Sequence, residues 1–179
     1  MIYKYKYQTP NGFSNMLMNS DGKTLTGLWF EGSRDMKKHE INCEEKELPI
    51  FKETSKWLDI YFSGKEPDFT PEYKINNLTP FRKEVVDIMN NIPFGKTLTY
   101  NDISKIIAQN RGINRMSSQA VGGAVGWNPI CIIIPCHRVI GTNGSLTGYG
   151  GGIKNKVELL KLEGNDMSKF FIPKRGTAL

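Results

Sequence analysis

Ser117-Ser-Gln-Ala-Val-Gly-Gly-Ala-Val-Gly126, running on through Trp127-Asn-Pro-Ile-Cys-Ile-Ile-Ile-Pro-Cys136-His137-Arg138-Val-Ile140, holds the most informative residues of this chain. The first ten residues have a helical cast but give up helix propensity for smallness, which lets something bulky approach that helix closely. The β-branched run at 131–134 predicts a buried strand or extended segment leading into Pro135-Cys136-His137. Cys136 invites a nucleophile reading, because a thiolate attacks and a nearby imidazole favours the thiolate. In an extended strand neighbouring side chains point to opposite faces. His137 therefore reaches the sulfur only if the backbone turns at Pro135 or a water bridges the gap. For the dipeptide alone, a buried cysteine beside a surface histidine is the simpler reading. Cys131 offers no disulfide partner, since five extended residues span roughly 16 Å, well beyond bonding reach.

Outward from this stretch the pattern is helical. Thr79 as N-cap and Pro80 at the first helical position lead into Phe81, Val85, Ile88, Met89 and Ile92, and Pro93 closes the helix. Thr99 with Asp102 outlines a capping box for a second helix with Tyr100, Ile103, Ile106 and Ile107 on one face. Joined to the helix at 117–126 through the basic connection at 110–115, it has the outline of a helix-turn-helix. Downstream, Asn143-Gly144 marks a turn, residues 147–152 form a loop around Tyr149, and a last helix spans 153–163. Ile153, Val157 and Leu160 are its expected inward face, with Gly164 ending it.

The stretch from Gly64 to about Thr79 concentrates proline and polar residues, which places a domain boundary there: 1–78 and 79–179. The N-terminal part reads as a small α+β domain, with strands around Tyr3, Tyr5 and Tyr7 and at 25–30, and a helix over 48–62. His39 and Cys43 are four apart but lack a second ligand pair, so no metal site is expected. Charge divides at the same boundary. Residues 1–78 hold 11 Lys and Arg against 12 Asp and Glu, whereas 79–179 hold 13 against 6. A positive field confined to one half suits a polyanion partner. With 179 residues and 39% hydrophobic content the chain is long and apolar enough to bury a core, and no apolar run approaches a membrane span. The N-terminus alternates aromatic residues with lysine and carries no apolar signal core, and three scattered cysteines point to a reducing cytoplasm.

Pro135-Cys136-His137-Arg138-Val139-Ile140, with 120–129 before it, Gly148-Tyr149-Gly-Gly-Gly152 and Leu159-Leu-Lys-Leu-Glu163-Gly164 after it, resembles the O6-alkylguanine-DNA alkyltransferase family over roughly 79–165. Phe94-Gly-Lys-Thr-Leu-Thr-Tyr100 looks like that family's lead into the helix-turn-helix. The resemblance implies an α+β protein with a ribonuclease-H-like N-terminal domain and a mainly helical, winged-helix-like C-terminal domain. It implies a single-turnover reaction in which Cys136 takes the alkyl group from guanine O6, and from O4-methylthymine as a further candidate substrate. His137 would act through a water as base, Glu163 would orient the imidazole, and Tyr100 would serve the leaving guanine at N3. Tyr149 would line the pocket of the extruded base, Asn128 would be a hinge, and Gln119, Ala120, Gly123 and Arg138 join them as substrate or DNA contacts. Gln119 stands where many members carry an arginine finger, and lacks its charge and stacking plane. The partner implied is duplex DNA holding an alkylated guanine. No metal, small-molecule cofactor or membrane is implied, and the protein is expected to be a monomer. A noncatalytic damage-binding protein of the same fold and a cysteine hydrolase using Cys136 and His137 are the alternatives.

Overall fold

The computed structural model describes residues 1–39 and 42–174, the side chains of Lys38 and His39 excepted, so the His39–Cys43 pair lies outside the described residues. The chain is mixed α+β and divides into two compact units: Met1–Asn77 with Pro129–Ile133, and Leu78–Asn128 with Ile134–Leu179. Pro129–Ile133 thus belongs with the N-terminal residues, although reading along the chain assigns it to the second domain.

The first unit is built on strands β1 (Tyr3–Tyr7), β2 (Met16–Ser20), β3 (Leu25–Phe30) and β4 (Glu44–Glu45), with helices α1 (Arg34–His39) and α2 (Pro49–Phe62). The sheet order is β3-β2-β1-β4, antiparallel except for the short parallel β1–β4 pair. Strand β2 and helix α1 were not anticipated. Met16 and Met18 are wholly buried, yet an unbranched methionine run lacks the β-branched signature by which a strand is recognised. From α2, Phe51, Leu58 and Tyr61 are buried. The outer edge of β3 is covered twice. Leu25 exchanges hydrogen bonds with Glu72 and Lys74, and Leu28 with Pro129 and Cys131, all at 2.9 Å. Cys131, expected in a strand, is part of this edge cover, and Ile132 then turns the chain at φ 69°. With Ile133 N–H donating to the Cys131 carbonyl at 2.8 Å, this is a γ-turn, a conformation a β-branched residue rarely adopts. The extended segment expected at 131–134 is broken here.

The second unit holds α3 (Pro80–Asn90), β5 (Leu98–Thr99), α4 (Tyr100–Arg111), α5 (Ser118–Gly126), β6 (Val139–Ile140) and α6 (Ile153–Leu162). Its helix starts follow the side chains that cap them: Thr79 accepts from Arg82 N–H, Thr99 from Asp102 N–H, and Ser117 from Ala120 N–H. Asp102 closes the capping box on Thr99 N–H in place of the more usual glutamate. Two cation–aromatic contacts hold α3 against its neighbours: Arg82 lies 3.9 Å from the Trp127 ring, and Arg111, paired with Glu84, lies over Phe81. Strands β5 and β6 pair in parallel, Leu98 with Val139 and Thr99 with Ile140. That register sets the first residue of α4, Tyr100, beside the chain that leaves β6. On α6 the inward face is rotated from the expectation: Asn155, Lys156, Leu159 and Leu160 are buried, while Ile153 and Val157 are only partly so.

Candidate active site around Cys136

The backbone does turn at Pro135. Its φ of −82° and ψ of 63°, with Cys136 N–H donating to the Ile134 carbonyl at 2.8 Å, describe an inverse γ-turn. A single 3-10 turn, Cys136–Arg138, follows and puts three consecutive functional side chains on a tight bend instead of a flat strand. All three are buried, His137 completely.

His137 and Arg138 converge on Glu163, at the C-cap of α6. His137 Nε2–H donates to Glu163 Oε1 at 2.8 Å. Arg138 spans the carboxylate with Nε at 3.1 and 3.0 Å from its two oxygens and Nη2 at 2.9 Å from Oε1, while Nη1 donates to the Ile92 carbonyl at 2.7 Å. Gly95 N–H adds a longer bond to Oε2 at 3.3 Å. Gly95 has φ 77°, and a Cβ there would meet the Glu163 carbonyl at 2.9 Å, so both backbone conformation and space require glycine. Burial pushes the Glu163 carboxyl up, but the His137 and Arg138 hydrogen bonds and charges outweigh it and pull it down to about 2. Burial also pushes the His137 imidazole down, opposed by Glu163 and aided by the positive charges of Arg138 and Lys156. An ionised carboxylate facing Nε2 fixes the proton there and leaves Nδ1 as the basic nitrogen of a neutral ring.

Arg138, expected among the DNA contacts, is instead turned inward: its guanidinium is spent on Glu163 and Ile92. Asn128 is likewise a buried tie. Its Nδ2 donates to the Ile134 carbonyl at 2.9 Å, closing the base of the loop formed by residues 129–133. Tyr149 is buried, in the loop after β6. Gln119, Ala120 and Gly123 share one exposed face of α5, and the space above Gly123 is open.

Tyr100 sits at the start of α4 and its Oη donates to the Thr147 carbonyl at 3.2 Å. Burial, and then the charge of Cys136, drive its phenol well above the usual range, so it keeps its proton. Lys156 was not foreseen. It is wholly buried, and Nζ donates to the carbonyls of Val139 at 2.6 Å and Thr147 at 3.2 Å. Burial lowers it to about 8, against the pull of Cys136. Its signal was present in the sequence: Lys156, Leu159, Leu160 and Glu163 fall at i, i+3, i+4 and i+7, one stripe of α6. Among the described residues no group of three or more His, Cys, Asp or Glu could hold a metal ion.

This arrangement is a cysteine on a tight turn, with a neutral, carboxylate-bound histidine next to it, carried by a unit with three capped helices. Residues 80–165 match the family described as the DNA-binding domain of 6-O-methylguanine DNA methyltransferase. A methylated-DNA–protein-cysteine methyltransferase of Methanosarcina acetivorans is 46% identical over 92% of this chain and 99% of its own length. One from Haemophilus influenzae is 34% identical over 90% of this chain and 86% of its own. Among solved structures, Mycobacterium tuberculosis OGT in complex with DNA is similar at TM-score 0.75 and 32% identity, covering 94% of each chain. The chain belongs to the methylated-DNA–protein-cysteine methyltransferase family.

Proposed function

We propose that this protein repairs DNA by moving the alkyl group of O6-alkylguanine irreversibly onto Cys136, one group per molecule. The observation that carries the reading is the His137 Nε2–Glu163 contact of 2.8 Å on the turn that bears Cys136. It leaves Nδ1 to take the thiol proton through a water. The thiolate attacks the alkyl carbon, the S–C bond forms, and the C–O pair leaves with the guanine. Tyr100, a phenol that holds its proton, turns its O–H from the Thr147 carbonyl to the departing base at N3 and relieves its charge. Glu163 stays ionised throughout and, gripped by Arg138, holds the imidazole in one tautomer.

The base must leave the duplex for its O6 carbon to be reached. The helix-turn-helix of α4 and α5, with Gln119, Ala120 and Gly123 on its open face, is the surface for the duplex, and the positive charge of residues 79–179 supplies the attraction. Tyr149 lines the pocket for the flipped base. The first unit is ribonuclease-H-like and the second winged-helix-like, with residues 1–78 and 79–179 as the two domains apart from the returning 129–133 segment. The protein works as a monomer in the reducing cytoplasm, where Cys136 persists as a thiol. O4-methylthymine is a candidate second substrate.

Intact-mass measurement after incubation with a duplex holding one O6-methylguanine is the test. The protein is expected to gain the mass of one methyl group on the peptide containing Cys136 and then stop. A noncatalytic binder would gain nothing, and a cysteine hydrolase would turn over repeatedly without retaining the group.

A further inference from the structure

The loop that follows β6 is held by chain from beyond α6. Asp166 caps a 3-10 turn, Met167–Lys169, by accepting from Ser168 N–H at 3.1 Å and Ser168 Oγ at 2.7 Å. From that turn Met167 and Phe170 pack on a small apolar cluster of Ile140, Leu146 and Leu160. Phe171 then clips the loop by its backbone alone: its N–H donates to the Gly144 carbonyl at 3.0 Å, and its carbonyl accepts from Leu146 N–H at 2.8 Å. The Phe171 side chain is 50% exposed, so it is not the anchor.

The loop is shaped to receive this segment. Gly141 N–H donates to the Ser145 carbonyl at 2.7 Å, closing a tight turn in which Asn143 and Gly144 have φ of 59° and 86°. A Cβ on Gly144 would lie 2.0 Å from the Lys169 carbonyl oxygen, an impossible approach to a backbone atom. Immediately past the clip comes Thr147, whose carbonyl is shared by Tyr100 Oη and Lys156 Nζ at 3.2 Å each.

We propose that residues 166–171 act as a strap that positions the Thr147 carbonyl, and through it the Tyr100 hydroxyl, for alkyl transfer. The inference rests on the role given to Tyr100 above. The contacts that hold the strap lie with Gly144, Leu146 and the Ile140–Leu146–Leu160 cluster. The strap fixes the loop at Gly144 and Leu146, one residue short of the carbonyl that holds the phenol in place until the base takes its proton. Without the clip the Thr147 carbonyl keeps its bonds from Lys156 and Tyr100 but the backbone before it is released, and the hydroxyl loses its fixed resting place.

The test uses the full chain with Gly144→Ala, which drives Lys169 away, and Phe171→Pro, which removes the N–H that clips Gly144. Phe171→Ala keeps that N–H. Each is made alone and with Tyr100→Phe, and single-turnover transfer from an O6-methylguanine duplex is followed by intact mass alongside duplex affinity. Gly144→Ala and Phe171→Pro are expected to lower the transfer rate constant several-fold at unchanged affinity and unchanged final stoichiometry. Phe171→Ala should lose less than Phe171→Pro, and the loss should vanish in the Tyr100→Phe background. A loss of equal size in that background, unchanged rates in both clip variants, or a fall in stoichiometry with the rate constant preserved would each overturn the strap. Should one variant not fold, the other decides. Failure of the wild type to gain any methyl group would instead remove the reading of the active site on which the strap depends.

Discussion

Arg138 grips Glu163 through both carboxylate oxygens, with Nε 3.0 Å from Oε2 and Nη2 2.9 Å from Oε1, and neither side chain is more than marginally exposed. A buried ion pair of this kind is weak evidence of net stability, but removing one partner leaves an uncompensated charge in the interior. It also holds the carboxylate ready for His137 without needing water.

Glu163→Gln is therefore expected to lower stability at neutral pH by on the order of 3 kcal/mol and to slow transfer without changing its stoichiometry. The pH dependence has a definite sign. The folded carboxyl lies at about 2 against an ordinary 4.5, so its stabilisation is complete above the unfolded value and is lost as pH falls from 4.5 toward 2. Wild type should lose about 3 kcal/mol over that window from this group. Urea melts across acid pH check this, since the variant should lack that part of the slope.

Lys156 titrates the other way. Its folded value of about 8 lies below the ordinary 10.5, so the charged form is disfavoured in the native state. Between those values the unfolded chain binds more protons, and native stability rises with pH. Lys156→Met abolishes this rise and takes the Nζ donor from the Val139 and Thr147 carbonyls, of which Thr147 keeps Tyr100 Oη. The variant should be less stable than wild type at pH 7, and the gap should widen above pH 8 by roughly 3 kcal/mol at its limit. Equal pH slopes in parallel thermal melts would contradict it.

Cys136→Ser should abolish transfer while leaving affinity for alkylated duplex intact, because a serine hydroxyl is far harder to ionise. Cys131→Ser should transfer at the wild-type stoichiometry. Cys131 Sγ donates to Asp35 Oδ2 at 3.5 Å, and a serine there retains a donor for the buried carboxylate. Peptide mapping of the alkylated protein separates the two; a methyl on Cys131 or Cys43 would sink the assignment.

Gln119, exposed on α5, should matter only when a base has to be extruded. Gln119→Ala is expected to slow repair of duplex DNA several-fold and to leave the reaction with free O6-benzylguanine nearly unchanged, while Gln119→Arg should tighten duplex binding. Equal losses on both substrates would make it a residue that shapes the pocket.

What could be read from the residues was local. Thr79 and Thr99 announced two helix starts because a cap is a bond between neighbours in sequence, and the Ser117 cap joined them only in the structure. Cys136, His137 and Glu163 were visible as a set through family resemblance, and the meeting of His137 with Glu163 at 2.8 Å is a tertiary fact. Arg138 stood among the expected DNA contacts, and only the fold reveals the carboxylate that claims it. Lys156 was passed over for a similar reason: a lysine is ordinarily solvated, and nothing within four residues of it names the two carbonyls that bury it. Ile132 gave no warning either, since a β-branched residue at φ 69° defies its own propensity.

The return of Pro129–Ile133 to the first unit has a consequence for synthesis. A ribosome releases the sheet strands early, and the stretch at 72–74 arrives promptly to satisfy Leu25. The peptide groups of Leu28 wait for Pro129 and Cys131, a delay on the order of seconds at ordinary elongation rates. During that interval the nascent chain carries an unsealed sheet margin, the sort of template on which another polypeptide pairs. A gene fragment stopped near codon 78 makes that interval permanent, so its product should collect in inclusion bodies, whereas the whole chain supplies its own seal.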